Sequence, residues 1–145
     1  MNVKATLSPE DLARACAEAM WEEDDASRAL GMEIVEIGPG RATLAMTVRP
    51  EMVNGFGVCH GGIAFSLADS ALAFASNTHG RLTVSIENSI RYPAAIHPGD
   101  VLTATVKQAG GSSRLGYFVG EVTNQNGKVV GLFTGTSYRT EKPHQ

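Results

Sequence analysis

Between Arg41 and Arg49 the chain alternates: Ala42, Leu44, Met46 and Val48 fall on one side, Arg41, Thr43, Thr47 and Arg49 on the other. A period of two belongs to a strand with one buried face, and Pro50 predicts its end. Met32 to Ile37 is short and rich in branched residues, which predicts a strand before it, with Gly38-Pro39-Gly40 as the connecting turn. Four further strands are expected at Thr83–Tyr92, Val101–Ala109, Leu115–Asn124 and Lys128–Arg139. Pro93, Pro98-Gly99-Asp100, Gly110-Gly111-Ser112-Ser113 and Asn126-Gly127 punctuate them, the last as a two-residue hairpin turn.

Two segments follow a helical period instead. Ser8-Pro9-Glu10-Asp11 combines a capping serine, a proline at the first helical position and acids at the positive helix end. Leu12, Ala15, Cys16, Ala19 and Met20 then form an apolar stripe, and the helix is expected to end near Glu23. A short turn follows at Ala26–Leu30, stopped by Gly31. The second helix, Gly61 to Ala75, is apolar or small on every side, as a buried helix would be.

The order is helix, two strands, one long buried helix, four strands. The expected class is α+β: a six-stranded antiparallel sheet wrapped around one long helix, with a helical segment at about 8–30 and a core at about 31–140. The 145 residues, 43% apolar and 19% charged, fit one globular domain spanning residues 1–145 and argue against disorder. One short chain cannot easily cover such a helix all round, so a second subunit is expected.

Net charge is −3 and the basic residues are scattered, so nucleic acid is not an expected partner. Two cysteines, Cys16 and Cys59, are too few for a disulfide framework. Met1 to Leu12 holds no apolar targeting core, and the Gly61–Ala75 run is too short to span a bilayer. These features predict a cytoplasmic protein without membrane association. His60, His79, His97 and His144 are too dispersed for a metal site. No phosphate-binding glycine loop, dinucleotide fingerprint or G-x-S-x-G elbow is present.

The chemistry concentrates elsewhere. From Met52 to Gly80 the one formal charge is Asp69, in the middle of the apolar helix. A carboxylate there needs either a distant partner or a cleft in which it reacts. Just upstream lies Asn54-Gly55-Phe56-Gly57-Val58-Cys59-His60-Gly61-Gly62. The first amides of a helix lack internal acceptors and sit at the positive dipole end. Gly61 and Gly62, having no side chains, would let a thioester carbonyl approach those amides, although they would equally serve a tight turn. Asn54 could donate to the same oxygen, although Asn-Gly is also an ordinary turn pair. His60 could bond substrate or merely hold the loop. Asp69 lies about 12 Å along the axis from Gly61 at ~1.5 Å per residue, too far to share one carbonyl carbon. Two copies with antiparallel helices would bring the end of one helix to the middle of the other.

Asn54-Gly55-x-Gly57-x-Cys59-His60-Gly61-Gly62, followed by Leu67-Ala68-Asp69 and Ala73-Phe74-Ala75, resembles the hotdog-fold acyl-CoA thioesterases, in particular the bacterial phenylacetyl-CoA thioesterase family. The resemblance runs from about Gly31 to Tyr138 and includes Arg91-Tyr92-Pro93 and Pro98-Gly99-Asp100. It implies the hotdog fold, assembled as homodimers and often homotetramers, and hydrolysis of arylacetyl-CoA, phenylacetyl-CoA or its hydroxylated form, in phenylacetate degradation. Asp69 would be general base or nucleophile. The Gly61 amide and Asn54 of the opposite subunit would polarise the carbonyl, and His60 would support the loop or the leaving thiolate. Ser85 is the implied water-positioning serine. Phe56 and Gly62 are candidate substrate contacts, and Arg114, with Lys107 and Arg139, could meet the phosphates of coenzyme A. That molecule enters only as part of the substrate, so no cofactor is expected. The other readings are a hotdog hydratase or dehydratase and a non-catalytic acyl-CoA-binding module.

Overall fold

The computed structural model describes residues 6–144. Helices α1 (Pro9–Glu23) and α2 (Asp25–Ala29) precede strands β1 (Glu33–Gly38) and β2 (Arg41–Thr47). A single 3₁₀ turn at Pro50–Met52 and a loop lead to α3 (Gly61–Ser76), then to β3 (Arg81–Arg91), β4 (Val101–Gly111), β5 (Leu115–Thr123) and β6 (Val129–Pro143). All six strands are antiparallel in the order β1-β2-β4-β5-β6-β3. Because α3 joins β2 to β3, it must cross the inner face of the sheet from near one edge to the other.

The core is the layer between α3 and that face. Ala64, Leu67, Ala68, Ala71, Leu72, Phe74 and Ala75 of α3 pack against Leu44, Leu102, Ala104, Val106, Val122 and Phe133 from the strands. Alanines on the helix let it lie close to the sheet, while the larger side chains fill the gaps. Each fully buried Leu, Val or Phe contributes about 1.5–3 kcal/mol. Across the top, α1 lays Trp21 against Phe74, their ring centroids 6.1 Å apart.

The period-two reading of β2 describes its inner face: Ala42, Leu44 and Met46, with Val48 just past its end, are buried. Ser8 caps α1 by accepting from the Asp11 amide. Two expectations need correction. The buried stripe of α1 is Ala13, Cys16 and Ala17, rotated from the expected one, with Ala15 and Ala19 facing solvent; docking on β1 and α3, rather than the count of apolar residues, sets the rotation. The last hairpin turns on three residues, not two. Asn124 N–H donates to Lys128 C=O and Gly127 N–H to Asn124 C=O, with Gly127 left-handed at φ +76°. That is a type I turn closed by a glycine bulge, and it needs positive φ only at Gly127. As expected of one chain, α3 is not covered all round: Gly62 and Asp69 are exposed, and Ser66 and Ala73 are half-buried, giving a narrow open flank of small and polar residues.

Gly120 sits on the inner side of β5, where a β-carbon would lie 2.7 Å from Val106 Cγ2 and 2.9 Å from the Thr105 carbonyl oxygen. Backbone cannot yield there as a flexible side chain can. Gly120→Ala is expected to lower stability by about 1–3 kcal/mol, read as a fall in the urea midpoint at unchanged slope.

Candidate active site

The loop before α3 is built on Asn54. Its N–H donates to Val58 C=O (2.8 Å), Gly57 N–H returns to Asn54 C=O (3.1 Å), and its side-chain oxygen accepts from the Phe56 and Val58 amides. Gly57 takes the left-handed conformation, φ +77°. Asn124–Lys128 repeats the same pattern bond for bond, its side-chain oxygen accepting from the Asn126 and Lys128 amides. The side-chain oxygen of Asn54 is therefore committed to the loop. Its NH₂ group has no acceptor among the described residues and can donate outward.

From this loop the chain is drawn into α3 by His60 N–H to Met52 C=O (2.8 Å) and Cys59 N–H to Ile96 C=O (2.7 Å). His60 is the residue before the first turn. Its side chain makes no capping bond and is exposed. Tyr92, at the end of β3, lies across the first turn of the helix: its hydroxyl donates to Gly61 C=O at 2.6 Å. A β-carbon on Gly61 would stand 3.0 Å from the Tyr92 ring, whereas one on Gly62 would meet only His60, at 3.9 Å. Tyr92 thus packs closely on Gly61, and Gly62 leaves the helix end open to approach. A shallow depression of about 240 Å³ at this end is lined by Glu51, Met52, Val53, His60, Gly62 and Ile63.

Asp69 lies on the open flank of α3, outside that depression. Asn88 Nδ2 donates to Asp69 Oδ1 at 2.8 Å, and Ser85 Oγ donates to Asn88 Oδ1, also at 2.8 Å. Partial burial of the carboxyl pushes the Asp69 pKa above its ordinary value; the Asn88 bond opposes this and the Asp24 charge adds to it. Asp24 is fixed by accepting from Ser27 N and Oγ, and Ser27 in turn shares a 2.7 Å hydrogen bond with Ser70 on α3. None of the α3 serines is poised as a nucleophile: Ser66 donates to Gly62 C=O and Ser76 to Ala73 C=O.

Ser85 therefore reaches Asp69 through Asn88, a residue the sequence reading passed over. A β-bulge explains both facts. Ser85 pairs with Ser137 and Glu87 with Thr136, which leaves Ile86 unpaired. Before the bulge the inner side of β3 carries Thr83 and Ser85, after it Asn88 and Ile90. Two residues three apart thereby share a face, which alternation forbids. Gly135, opposite Asn88, supplies the room: a β-carbon there would lie 2.7 Å from Asn88 Oδ1 and 2.6 Å from Leu72 Cδ2.

The remaining candidates sit apart in one chain. Phe56 is at the loop tip and 92% exposed. Arg114, at the foot of β5, bonds the Tyr138 hydroxyl (3.0 Å) and Glu141 (3.4 Å). The outer face of the sheet holds a hollow of about 590 Å³ that includes Lys107 but none of the residues around Asp69 or Asn54. Among the described residues no group of three or more His, Cys, Asp or Glu side chains could hold a metal, and no helix is long and apolar enough to cross a membrane.

Comparison with known proteins decides the family. The profile of the thioesterase superfamily matches residues 56–131, the stretch that carries the end of the loop, α3 and strands β3 to β5. The chain belongs to the thioesterase superfamily. It is similar to the acyl-coenzyme A thioesterase PaaI of Escherichia coli K12, at 41% identity over 85% of this chain and 88% of that one. The structure of the E. coli PaaI protein from the phenylacetic acid degradation operon superposes with a TM-score of 0.91, at 38% identity, covering 94% of this chain and 99% of the other. A hypothetical thioesterase from Streptococcus pneumoniae TIGR4, solved with coenzyme A, superposes with a TM-score of 0.78 at 26% identity, covering 88% and 98%. The sheet around α3 is accordingly the hotdog fold of this superfamily, and the protein is an enzyme of thioester hydrolysis.

Cys59 adjoins His60, but burial raises its thiol pKa above the ordinary value, as it does for Cys16. A protonated thiol is a poor nucleophile. A disulfide-exchange reagent at neutral pH is expected to find both thiols slow in the folded protein, and two fast thiols once denaturant is added.

Proposed function

We propose that this thioesterase hydrolyses acyl-CoA esters with arylacetyl groups, phenylacetyl-CoA or its hydroxylated form, to the free acid and coenzyme A. The observation that carries the reading is the placement of Asp69: a lone carboxylate on the open flank of an otherwise apolar helix, one oxygen held by Asn88 and the other without a protein partner among the described residues. The kinship with an acyl-CoA thioesterase from a phenylacetic acid degradation operon supports the substrate class.

In this reading Asp69 accepts the proton of the attacking water, or attacks the carbonyl itself. The thioester carbonyl oxygen lies at the Gly61 amide and the Asn54 NH₂ group of the opposite subunit, with His60 beside the leaving thiolate. Phe56 and Gly62 border the acyl group. Ser85 acts through Asn88. Coenzyme A arrives with the substrate and leaves as product, and no separate cofactor takes part. Arg114 and neighbouring basic residues face the phosphates.

A homodimer is the smallest competent unit in this reading, paired further into a homotetramer. Two features support a second copy. The axial separation of Gly61 and Asp69 keeps one chain from completing the site. In addition, β3 is an edge strand with one row of backbone groups unpaired and with Leu82, Val84 and Ile86 exposed. Antiparallel pairing across β3 would continue the sheet and set the open flanks of the two α3 helices side by side.

Asp69→Ala is expected to lower kcat on phenylacetyl-CoA by roughly 10²- to 10⁴-fold, measured as free thiol released. An unchanged rate, or hydration of an enoyl thioester without thiol release, would sink the proposal. A base must be ionised, so the rate should rise with pH through the Asp69 pKa. Since burial raises that pKa, the acidic limb of kcat/KM should lie above the ordinary aspartate value, and a limb below that value would contradict the assignment.

A further inference from the structure

We infer that Asn88 is a positioning residue of the hydrolysis, one that holds the Asp69 carboxylate in a single orientation. The inference rests on the role given to Asp69 above.

The hydrogen bonds allow one assignment. A carboxylate only accepts, so the group that Asn88 turns toward Asp69 must be its NH₂. Its own carbonyl then faces Ser85, which must donate. The chain Ser85 Oγ–H to Asn88 Oδ1, Asn88 Nδ2–H to Asp69 Oδ1 runs in one direction with two 2.8 Å steps. The hydroxyl fixes the amide and the amide fixes the carboxylate. Rotation about the Asp69 side chain would break the second bond, so Oδ2 remains the oxygen turned to water or to the carbonyl carbon. The arrangement is built into the backbone: the Ile86 bulge brings Ser85 and Asn88 to one face, and Gly135 leaves the space that Asn88 occupies.

Asn88 also opposes the surroundings of Asp69. The other residues of the open flank of α3 (Gly62, Ser66 and Ala73) are uncharged. The charged group bearing on the carboxylate is Asp24, across from the start of α2, and it disfavours ionisation. From β3, Ser85 and Asn88 are neutral, and among the described residues Asn88 alone donates to Asp69. It touches the carboxylate rather than the reacting atoms, so it acts through Asp69.

The test is the pH dependence of kcat/KM for phenylacetyl-CoA hydrolysis by wild type, Asn88→Ala, Ser85→Ala, the double variant and Asp69→Asn, each checked for a native melting transition. Loss of a hydrogen bond to a charged group should move the acidic limb of Asn88→Ala to higher pH by about one unit. Its plateau kcat should fall by roughly tenfold with KM little changed. Ser85→Ala should shift the limb the same way by less, and the double variant should match Asn88→Ala, because the serine acts only through the amide. Asn88→Asp, of equal shape but unable to donate when ionised, should shift the limb at least as far. An Asn88→Ala limb at the wild-type position, with Asp69→Asn inactive, overturns this inference and leaves the catalytic role of Asp69 standing. Multiplying losses in the double variant overturn it too. Full activity in Asp69→Asn overturns both.

Discussion

The packing of α3 against the inner face of the sheet governs the positions of all other parts. A sixteen-residue helix whose buried Leu67, Leu72 and Phe74, with alanines between them, spread widely around its circumference can be buried only if strands curve around it. The link from β2 through α3 to the far edge strand β3 makes the helix cross the sheet rather than run along its rim. Its first turn therefore comes out near the Asn54 loop, and its middle meets β3. One crossing sets the helix N-terminus beneath Tyr92 and Asp69 beside Asn88. The chemistry is located by the same apolar burial that drives folding.

Much of this could be read from residue order. Alternation in Arg41–Arg49, the capping serine at Ser8, and the proline and glycine breaks placed the elements to within a few residues. The isolated charge of Asp69 and the paired glycines at 61 and 62 marked the part of the chain where the candidate site is drawn. These features are local, and local features survive in one dimension. What escaped was relational. The rotation of α1 depends on what it docks against. Tyr92 looked like part of a strand end, and only its return across α3 sets it closely on Gly61. Asn88 was invisible because a strand read at a period of two places it opposite Ser85, not beside it. The signal that could have found it is the unusual run Ser85-Ile86-Glu87-Asn88-Ser89, whose polar residues do not keep a period of two.

The two five-residue loops begun by Asn54 and Asn124 separate scaffold from chemistry. They share turn, glycine and side-chain bonds, yet one closes a hairpin far from the helix end and the other leads into it. The asparagine in each is needed to build the loop, and this alone accounts for its oxygen. Any catalytic part played by Asn54 belongs to its NH₂ group, and it follows from where the loop is placed, not from its form.

The extra residue in β3 has a consequence for how this enzyme can vary. Side-chain direction along a strand behaves like a reading frame with two phases, and Ile86 is the point at which the phase changes. Substitutions along the strand leave the frame intact. Removing Ile86 itself would leave the pairs Ser85–Ser137, Glu87–Thr136 and Asn88–Gly135 in place and keep Thr83, Ser85, Asn88 and Ile90 on the inner side. The bulge is thus a slot that takes up one residue, and related sequences with or without it can hold the Asp69 carboxylate with the same side chains.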